Sequence, residues 1–370
     1  MADYTTIDDP SAQFQVDLYT GTGSSLANTF DGNSAMQPDL VWIKERSGTA
    51  DHALYDSSRG VQKQLEVNLT AVETTESTGL TAFGSDGFTV GALAQVNTSS
   101  DTYVAWGWKA NGSTTVSVAE SGSGSGCVNA CTHQANTTSG FSIITYTGRD
   151  DELSNGQESK LTHGLGVAPK FTIMKRRAGA VGEWYVMGKY VTSSSAYSNN
   201  EFLQLNQQNA INSDSYTGDT APDSTHIFLG NELVNIADAT YVCFAFTDVQ
   251  GFSKFGHYTG NDQDPDGTFI YTGFKVGWLL VKNPASALYH WALYDSKRSP
   301  TNEDHGDIVL TATDDPEVTG NNGSAVDLLS NGFKWRGGYD GVNGPDNKII
   351  YAAFAENPFV TSTGIPATAR

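Results

Sequence analysis

The tripeptide Tyr19-Thr20-Gly21 recurs as Tyr146-Thr147-Gly148 and again as Tyr258-Thr259-Gly260. Four further landmarks follow each copy in one order: an apolar run ending in Lys, an aromatic residue before a short apolar stretch, a Phe between small residues, and a closing aromatic run. The runs ending in Lys are 38–44, 169–175 and 276–282, and the closing runs are 103–108, 241–246 and 350–354. Five markers in one order, three times, indicate a tandem array.

The spacing of the copies indicates what kind of array this is. The Tyr-Thr-Gly copies lie 127 and 112 residues apart. Solenoid repeats are much shorter, roughly 20–50 residues, whereas about 100–150 residues is the size of a whole domain. We therefore predict modules in a row, each with its own core.

Short runs rich in β-branched and aromatic residues, separated by Gly, Asn and Asp turns, favour β structure throughout. The predicted fold is all-β, with three tandem β-sandwich (jelly-roll-like) modules. The predicted segments are an N-terminal attachment arm at 1–13, modules at 14–117, 141–250 and 251–359, a Ser/Gly-rich linker or hairpin at 118–140, and a tail at 360–370. The modules are called the first, second and third repeat below.

Composition excludes several classes of function. The chain has 370 residues and a formal net charge of −20, from 41 acidic and 21 basic residues. Binding of nucleic acid needs clustered Lys and Arg, so no nucleic-acid partner is predicted. No apolar stretch approaches the roughly 18 residues of a membrane span, and the first ten residues do not resemble a signal peptide. We expect synthesis in a cytoplasm and no membrane insertion.

The three cysteines give no zinc pattern. Cys127 and Cys131 could form a local disulfide, although reduced thiols fit cytoplasmic synthesis better. Cys243 lies within an aromatic run and is predicted to be a small core residue. We likewise predict that Trp42, Trp106, Phe244 and Phe354 lie in the core, since they stand in apolar runs that recur.

One acidic loop resembles half of a calcium site. Asp262, Asp264 and Asp266 match the start of a calcium loop, D-x-D-x-D-G, but Gly273 stands where the closing Glu belongs. The alternative is a solvated turn before the strand at Phe269, and it is favoured. No other metal or cofactor is predicted, so calcium is the one ion considered.

A second constellation pairs an Asp with an Arg three residues later. Asp56 and Arg59 recur as Asp295 and Arg298, while the second repeat has Gly188-Lys189-Tyr190 in this region. The pairs could be catalytic, but an ion pair that brackets a turn is favoured.

Exposed aromatics could stack on sugars. Most Trp residues lie in periodic runs, where core packing is the expectation. Trp335, Arg336 and Tyr339 are the exception, because the neighbouring Gly337-Gly338 pair suggests an exposed loop. These three are the predicted glycan contacts.

Several long stretches together resemble a domain family of unknown function found in tailed-phage virion proteins. They lie at 38–46, 56–60, 251–261, 269–274, 294–300, 328–334 and 353–359. The resemblance runs from Phe14 to Phe359 and implies a virion component without an established enzymatic site. The second repeat departs from the pattern at Gly188-Lys189-Tyr190.

The functional expectation is therefore a non-enzymatic virion structural protein of a tailed bacteriophage, a tail fibre or tail appendage that also touches host-surface glycans. Alternatives are a capsid decoration or head-fibre protein, and a virion-associated glycan depolymerase, which would need two facing carboxylates. The expected partners are other virion proteins through the arm, copies of itself in a trimer, and a host polysaccharide.

Overall fold

The computed structural model describes residues 4–154, 156–191, 201–213, 220–230, 232–302, 306–320 and 322–368. Strand accounts for 42% of the chain and helix for 5%, which confirms the predicted all-β class. The two α-helices have four residues each: α1 (Ala94–Asn97) and α2 (Asp340–Asn343). Short 3-10 helices occur at Pro10–Ala12, Asp150–Glu152 and Asn322–Ser324.

The described strands follow the chain in three sets. The first set is β1 (Phe14–Thr20), β2 (Leu26–Asn28), β3 (Leu40–Glu45), β4 (Ala53–Asp56), β5 (Lys63–Glu66), β6 (Thr74–Thr75), β7 (Leu80–Gly84), β8 (Gly87–Val90) and β9 (Thr102–Trp108). The second set is β10 (Val116–Val118), β11 (Cys131–Asn136), β12 (Phe141–Thr147), β13 (Ser159–Thr162), β14 (Phe171–Arg176), β15 (Trp184–Gly188), β16 (Glu201–Gln204), β17 (Asn212–Ser213), β18 (His226–Leu229) and β19 (Thr240–Phe246). The third set is β20 (Ser253–Thr259), β21 (Phe269–Tyr271), β22 (Phe274–Lys282), β23 (Ala292–Asp295), β24 (Val309–Leu310), β25 (Val326–Leu329), β26 (Gly332–Trp335) and β27 (Lys348–Pro358).

Each set forms one large and one small antiparallel sheet. The large sheets contain the orders β1-β9-β3-β4-β5, β12-β19-β14-β15-β16 and β20-β27-β22-β23-β24. In each, the strand with the Tyr-Thr-Gly motif pairs with the strand that contains the closing aromatic run. The small sheets are β2-β8-β7, β13-β18 and β21-β26-β25. Strand β6 extends the first large sheet, and β10, β11 and β17 extend the second. The segment 118–140, predicted as a linker or hairpin, thus lies largely in a hairpin, because β10 pairs with β11.

The continuous apolar runs are explained by burial of both faces of the large sheets. In β3, Val41 and Ile43 pack with Phe88 of the small sheet, whereas Leu40 and Trp42 belong to a second apolar cluster on the opposite face. A strand covered on one face alternates apolar and polar residues, but a strand covered on both does not. All six residues of β3 are accordingly buried.

The central cluster on that opposite face contains residues from all three repeats. The ring of Phe354 lies 5.8 Å from that of Trp108 and 5.8 Å from that of Phe246. These three residues are equivalent, because each is paired with the first residue of β1, β12 or β20. The residual apolar cavity between them is only about 30 Å³. The expectation that each module has a separate core is wrong on this face: the large sheets share one core. The predicted core residues Trp42, Trp106, Phe244 and Phe354 are at most 3% exposed, as expected.

The N-terminal segment does not extend away from the body as predicted. Thr5 and Ile7 are buried, and Ile7 belongs to the central cluster. Thr5 Oγ1 donates a hydrogen bond to Gln250 O at 2.8 Å. Asp8 accepts a hydrogen bond from Ser362 N of the C-terminal tail. The sequence misses this because one apolar side chain in a polar stretch gives no periodic signal. Residues 1–3 of the predicted arm lie outside the described part.

Candidate functional site

The recurring Tyr-Thr-Gly motif joins the first strand of each repeat to a buried Asn. Tyr19, Tyr146 and Tyr258 donate hydrogen bonds from their hydroxyl groups to Val96 O, Val234 O and Val342 O, at 2.7, 2.6 and 2.5 Å. The residue after each Val is an Asn with no exposed surface, and these are Asn97, Asn235 and Asn343. The motif is thus used three times for the same tertiary contact.

The Asn side chain and the Gly complete this contact. Asn97 Oδ1 accepts a hydrogen bond from the backbone N–H of Thr22, directly after Gly21, and Asn235 and Asn343 bond to Arg149 and Asn261 in the same way. A Cβ at Gly21 would overlap the carbonyl oxygen of Thr98, and a Cβ at the equivalent glycines would overlap backbone in the same way. Gly is required because the two backbones approach too closely for a side chain.

The Lys that ends each apolar run is buried between two repeats. Lys44 Nζ donates to Ala50 O in its own repeat and to Asp314 O in the third, both at 3.0 Å. Lys175 Nζ donates to Gly182 O and to Leu69 O of the first repeat, at 2.5 and 3.3 Å. Equivalent bonds thus link the first repeat to the third and the second to the first.

Lys282 closes the series. Its Nζ donates to Tyr289 O in the third repeat and, at 2.7 Å, to Gln208 O of the second. The three links therefore run from the first repeat to the third, from the third to the second, and from the second to the first. Such a cyclic pattern is that of an approximate threefold rotation within one chain.

Burial opposes the charge on these lysines. It lowers the pKa of Lys44 to about 8, that of Lys175 to about 8 and that of Lys282 to about 7. The carbonyl acceptors in turn favour the charged ammonium, since an amine that loses its proton also loses a donor. The lysines therefore link neighbouring repeats, and their hydrogen bonds to carbonyl oxygens offset the desolvation cost of burying the ammonium groups.

A second ring of equivalent bonds comes from the aromatic landmark. Trp184 Nε1 donates to Glu66 O at 2.9 Å, and Trp291 Nε1 donates to Gln204 O at 3.0 Å. In the first repeat His52 takes this place, with Nε2 at 3.1 Å from Leu310 O. Its Nδ1 accepts a hydrogen bond from Trp42 Nε1 at 3.0 Å, so His52 is neutral with its proton on Nε2.

The recurring Asp-Arg pairs are ion pairs at two of the three interfaces. Arg298 Nε bonds to Asp295 Oδ2 at 2.6 Å, and its Nη1 bonds to Glu317 Oε1 at 2.9 Å. Arg46 of the first repeat reaches the same Glu317 at 2.7 Å. Both Asp295 and the guanidinium of Arg298 are fully buried. The favoured structural interpretation of the sequence is thus what the structure shows.

The other charged interface repeats this arrangement. Arg59 pairs with Asp56 and with Glu73, and Arg177 of the second repeat pairs with Glu73 at 2.9 Å. Burial alone would raise the pKa of Glu73, but the hydrogen bonds from Arg177 and the charge of Arg59 outweigh it and leave this pKa below its usual value. The carboxylate is therefore charged near neutral pH.

The predicted calcium loop is exposed. The carboxylate of Asp266 pairs with Lys334 Nζ at 2.5 Å. Among the described residues, which include this loop, no three His, Cys, Asp or Glu side chains are grouped to hold a metal ion. The loop thus gives no support to a calcium site.

The three predicted glycan contacts do not form one exposed surface. Trp335 has no exposed surface and packs against Tyr294 and Phe333, so it is not a stacking surface for a sugar. It lies two residues after Phe333 on β26, and alternate residues of a strand share a face. Arg336 pairs with Asp327 at 2.5 Å.

Tyr339 alone of the three presents an exposed ring. It is 46% exposed and lies edge to face with Tyr289, at 5.8 Å between ring centroids. Tyr289 OH in turn lies 3.4 Å from Asp340 Oδ2. The surface around Tyr339 therefore places the pair of Tyr rings beside the Asp340 carboxylate.

A second aromatic surface, which the sequence does not predict, is a groove on the third repeat. Its lining includes Tyr190, His257, Phe269, Tyr271 and Tyr351, and its volume is about 370 Å³. Phe269 and Tyr271 are 46% and 48% exposed. The sequence does contain a signal for this groove, because Phe269 and Tyr271 stand at alternate positions of the short strand β21 and so share one face. We call this the aromatic groove.

The cysteines lie apart from both surfaces. All three are free thiols and buried, which confirms Cys243 as a core residue. Burial raises the pKa of Cys131 to about 11, so this thiol is protonated at neutral pH.

Comparison with protein families gives a match over most of the chain. A family model described as a domain of unknown function (DUF7483) matches residues 9–358, the whole array taken as one unit. Neither the curated proteins nor the solved structures give a match. Within the described residues, none of the helices has the length and apolar character needed to cross a membrane. Since the match spans nearly all of the chain, the protein belongs to the DUF7483 family.

Proposed function

We propose that this protein is a non-enzymatic structural component of a tailed-phage virion, a tail fibre or tail appendage. The observation that carries the proposal is the closed ring of equivalent interfaces. Three copies of one β unit are locked around a common core, so one chain presents three similar loop sets around one approximate axis.

The use of the recurring residues supports a structural role. The Tyr-Thr-Gly motif, the buried Lys and the Asp-Arg pairs recur because each makes a tertiary contact in more than one repeat. The family resemblance carried by 251–261 and 353–359 points to virion proteins. A particle component that persists outside the cell gains from a body whose repeats cannot separate.

Symmetric assembly enters the proposal at two levels. The sequence predicts a trimer of chains, and the internal ring supplies threefold character within a single chain. Such a unit fits a rotational axis of a particle, where several weak contacts engage together. Light scattering of the purified protein distinguishes a 39.5 kDa monomer from a species three times heavier.

Locating the protein on particles tests the proposal. Antibody labelling of purified virions by electron microscopy should place it on the tail. Labelling confined to the head supports the capsid-decoration alternative, and its absence from virions contradicts the proposal. A fall in the viscosity of host polysaccharide on addition of purified protein would contradict the non-enzymatic part.

A further inference from the structure

We propose that the aromatic groove of the third repeat is a carbohydrate-binding site that takes a pyranose ring. This extends, and partly rests on, the proposed role as a tail fibre or tail appendage. Sugars present C–H groups on one face and hydroxyl groups at the edge, so their sites combine exposed aromatic rings with a few polar groups. The groove supplies both.

One of the two exposed rings of the groove, that of Tyr271, is held in place by its neighbours. Tyr4 OH lies 3.2 Å from Tyr271 OH and donates to Gly273 O at 2.7 Å. Lys254 Nζ donates to Tyr271 O at 2.8 Å and lies 5.5 Å from the centroid of the Tyr271 ring. A ring fixed in this way loses little conformational freedom when a ligand stacks on it.

The opposite part of the lining combines aromatic and polar groups from two repeats. Tyr190 of the second repeat lies 5.7 Å from the imidazole of His257, in an edge-to-face arrangement. Asp248, also of the second repeat, lines the groove and accepts a hydrogen bond from Phe255 N at 2.8 Å. The hydroxyl groups of a sugar would meet Tyr190, His257 and Lys254.

The position of one lining ring, that of Tyr351, depends on a neighbouring strand position that lacks a side chain. A Cβ at Gly256 would lie 2.9 Å from the ring of Tyr351, which occupies that space. The equivalent residues, two before the motif Tyr, are Asp17 and Ile144 in the other repeats. The third repeat is therefore shaped here in a way that the common fold does not require.

The exposed rings are also particular to the third repeat. Ile270 is paired with Phe333 just as Asn28 is paired with Phe88 in the first repeat. By this register Ala27 and Thr29 stand where the third repeat has Phe269 and Tyr271. Since the same fold tolerates small residues at both positions, folding alone does not account for two half-exposed rings.

The charges near the groove favour a sugar over a cationic ligand. Lys254 lines the groove and Lys348 lies near His257, whose pKa is lowered by burial and by the Lys348 charge. The carboxylate of Asp248, which also lines the groove, is paired with Lys170. An organic cation would therefore meet mainly like charges, whereas a neutral sugar or one with a carboxylate would not. The volume of about 370 Å³ lies within the usual ~300–1,000 Å³ of small-molecule pockets.

Saturation-transfer NMR tests the site with the full-length protein. The probes are glucose, galactose, N-acetylglucosamine, glucuronic acid and sialic acid, each alone. The wild type should transfer magnetisation to at least one of them. The double variant Phe269→Ala/Tyr271→Thr, which installs the residues of the first repeat, should weaken that binding about tenfold or more.

Matched variants separate binding in this groove from binding at another exposed aromatic ring and from loss of the fold. Tyr271→Phe keeps the ring and should keep binding, and Tyr339→Ala removes an equally exposed ring elsewhere and should leave binding unchanged. An unchanged melting temperature in the double variant excludes unfolding as the cause. The proposal is overturned if no probe binds the wild type, if the double variant binds equally well, or if only Tyr339→Ala abolishes binding. These outcomes are independent of where the protein lies on a particle.

Discussion

Two interfaces between repeats have buried ion pairs, and the third has apolar residues at the equivalent positions. The first–second interface has Arg59, Glu73 and Arg177, and the third–first interface has the equivalent Arg298, Glu317 and Arg46. At the second–third interface the corresponding residues are Val191, Ile211 and Pro284. The same backbone hydrogen bond nevertheless forms at all three, from Glu73 N to Arg177 O, from Glu317 N to Arg46 O and from Ile211 N to Pro284 O.

The comparison shows that the ring does not depend on the ion pairs. What all three interfaces share is a backbone bond, a buried Lys and a donor from an imidazole or indole ring. A buried ion pair carries a desolvation cost that its attraction only roughly offsets, so well-packed apolar residues can replace it. Removal of one partner, in contrast, leaves a buried charge without compensation.

The largest effect is therefore expected from breaking one charged interface. Within the described part of the chain, Glu317→Ala leaves Arg298, whose side chain is fully buried, with Asp295 as its one remaining carboxylate partner. We expect the free energy of unfolding to fall by about 3–5 kcal/mol. Urea denaturation followed by tryptophan fluorescence measures this.

The matched control removes an exposed ion pair. Asp31→Ala breaks the contact with Lys297, in which both side chains are well exposed, and should cost less than about 1 kcal/mol. Equal losses for the two variants would mean that burial of the charges at the third–first interface is irrelevant.

A pH effect should distinguish the third–first interface, where His52 replaces Trp. Burial and the nearby charge of Lys44 lower the pKa of His52 from 6.5 to about 3. At a pH between these two values, His52 takes up a proton in the unfolded chain but not in the folded chain. Stability should therefore fall as the pH drops below 6.5, by up to about 1.4 kcal/mol per pH unit from this residue.

The variant His52→Gln isolates this contribution. Gln keeps an acceptor for Trp42 and a donor for Leu310 O but does not titrate. The pH dependence of its unfolding free energy between pH 6.5 and 4 should be flatter than that of the wild type, while other buried histidines, such as His163, contribute equally to both. Parallel curves would show that His52 is protonated in the folded state.

A smaller loss than from removal of one buried partner is expected from converting one charged interface into the apolar one. A chain with Asp56→Gly, Arg59→Val, Glu73→Ile and Arg177→Pro carries the residues of the second–third interface at the first–second interface. Despite four changes, its unfolding free energy should lie within about 2 kcal/mol of the wild type, closer than Glu73→Ala alone. A larger loss than for the single variant would contradict the equivalence of the interfaces.

Part of the site could be predicted from the sequence. The strand-like run 332–335 alternates Gly, Phe, Lys and Trp, which places Trp335 on the buried face with Phe333, although the following Gly pair favours an exposed loop. Phe269 and Tyr271 give only a weak signal because the strand between two turn signals is three residues long. The exposure of these rings follows from a small sheet whose outer face the described part of the chain covers only partly at these two positions.

By itself, the sequence determined the β class, the threefold recurrence and the core aromatics, because these follow from local periodicity and from apolar residues that recur in order. Only the tertiary structure decided that the repeats close into a ring, because the acceptor of Lys44 at Asp314 is 270 residues away along the chain. Lys is usually exposed to solvent, so the burial of these three lysines is contrary to the preference of the residue type. That preference is overcome only where carbonyl oxygens of a neighbouring repeat surround the ammonium group, and this arrangement exists only once the chain has folded.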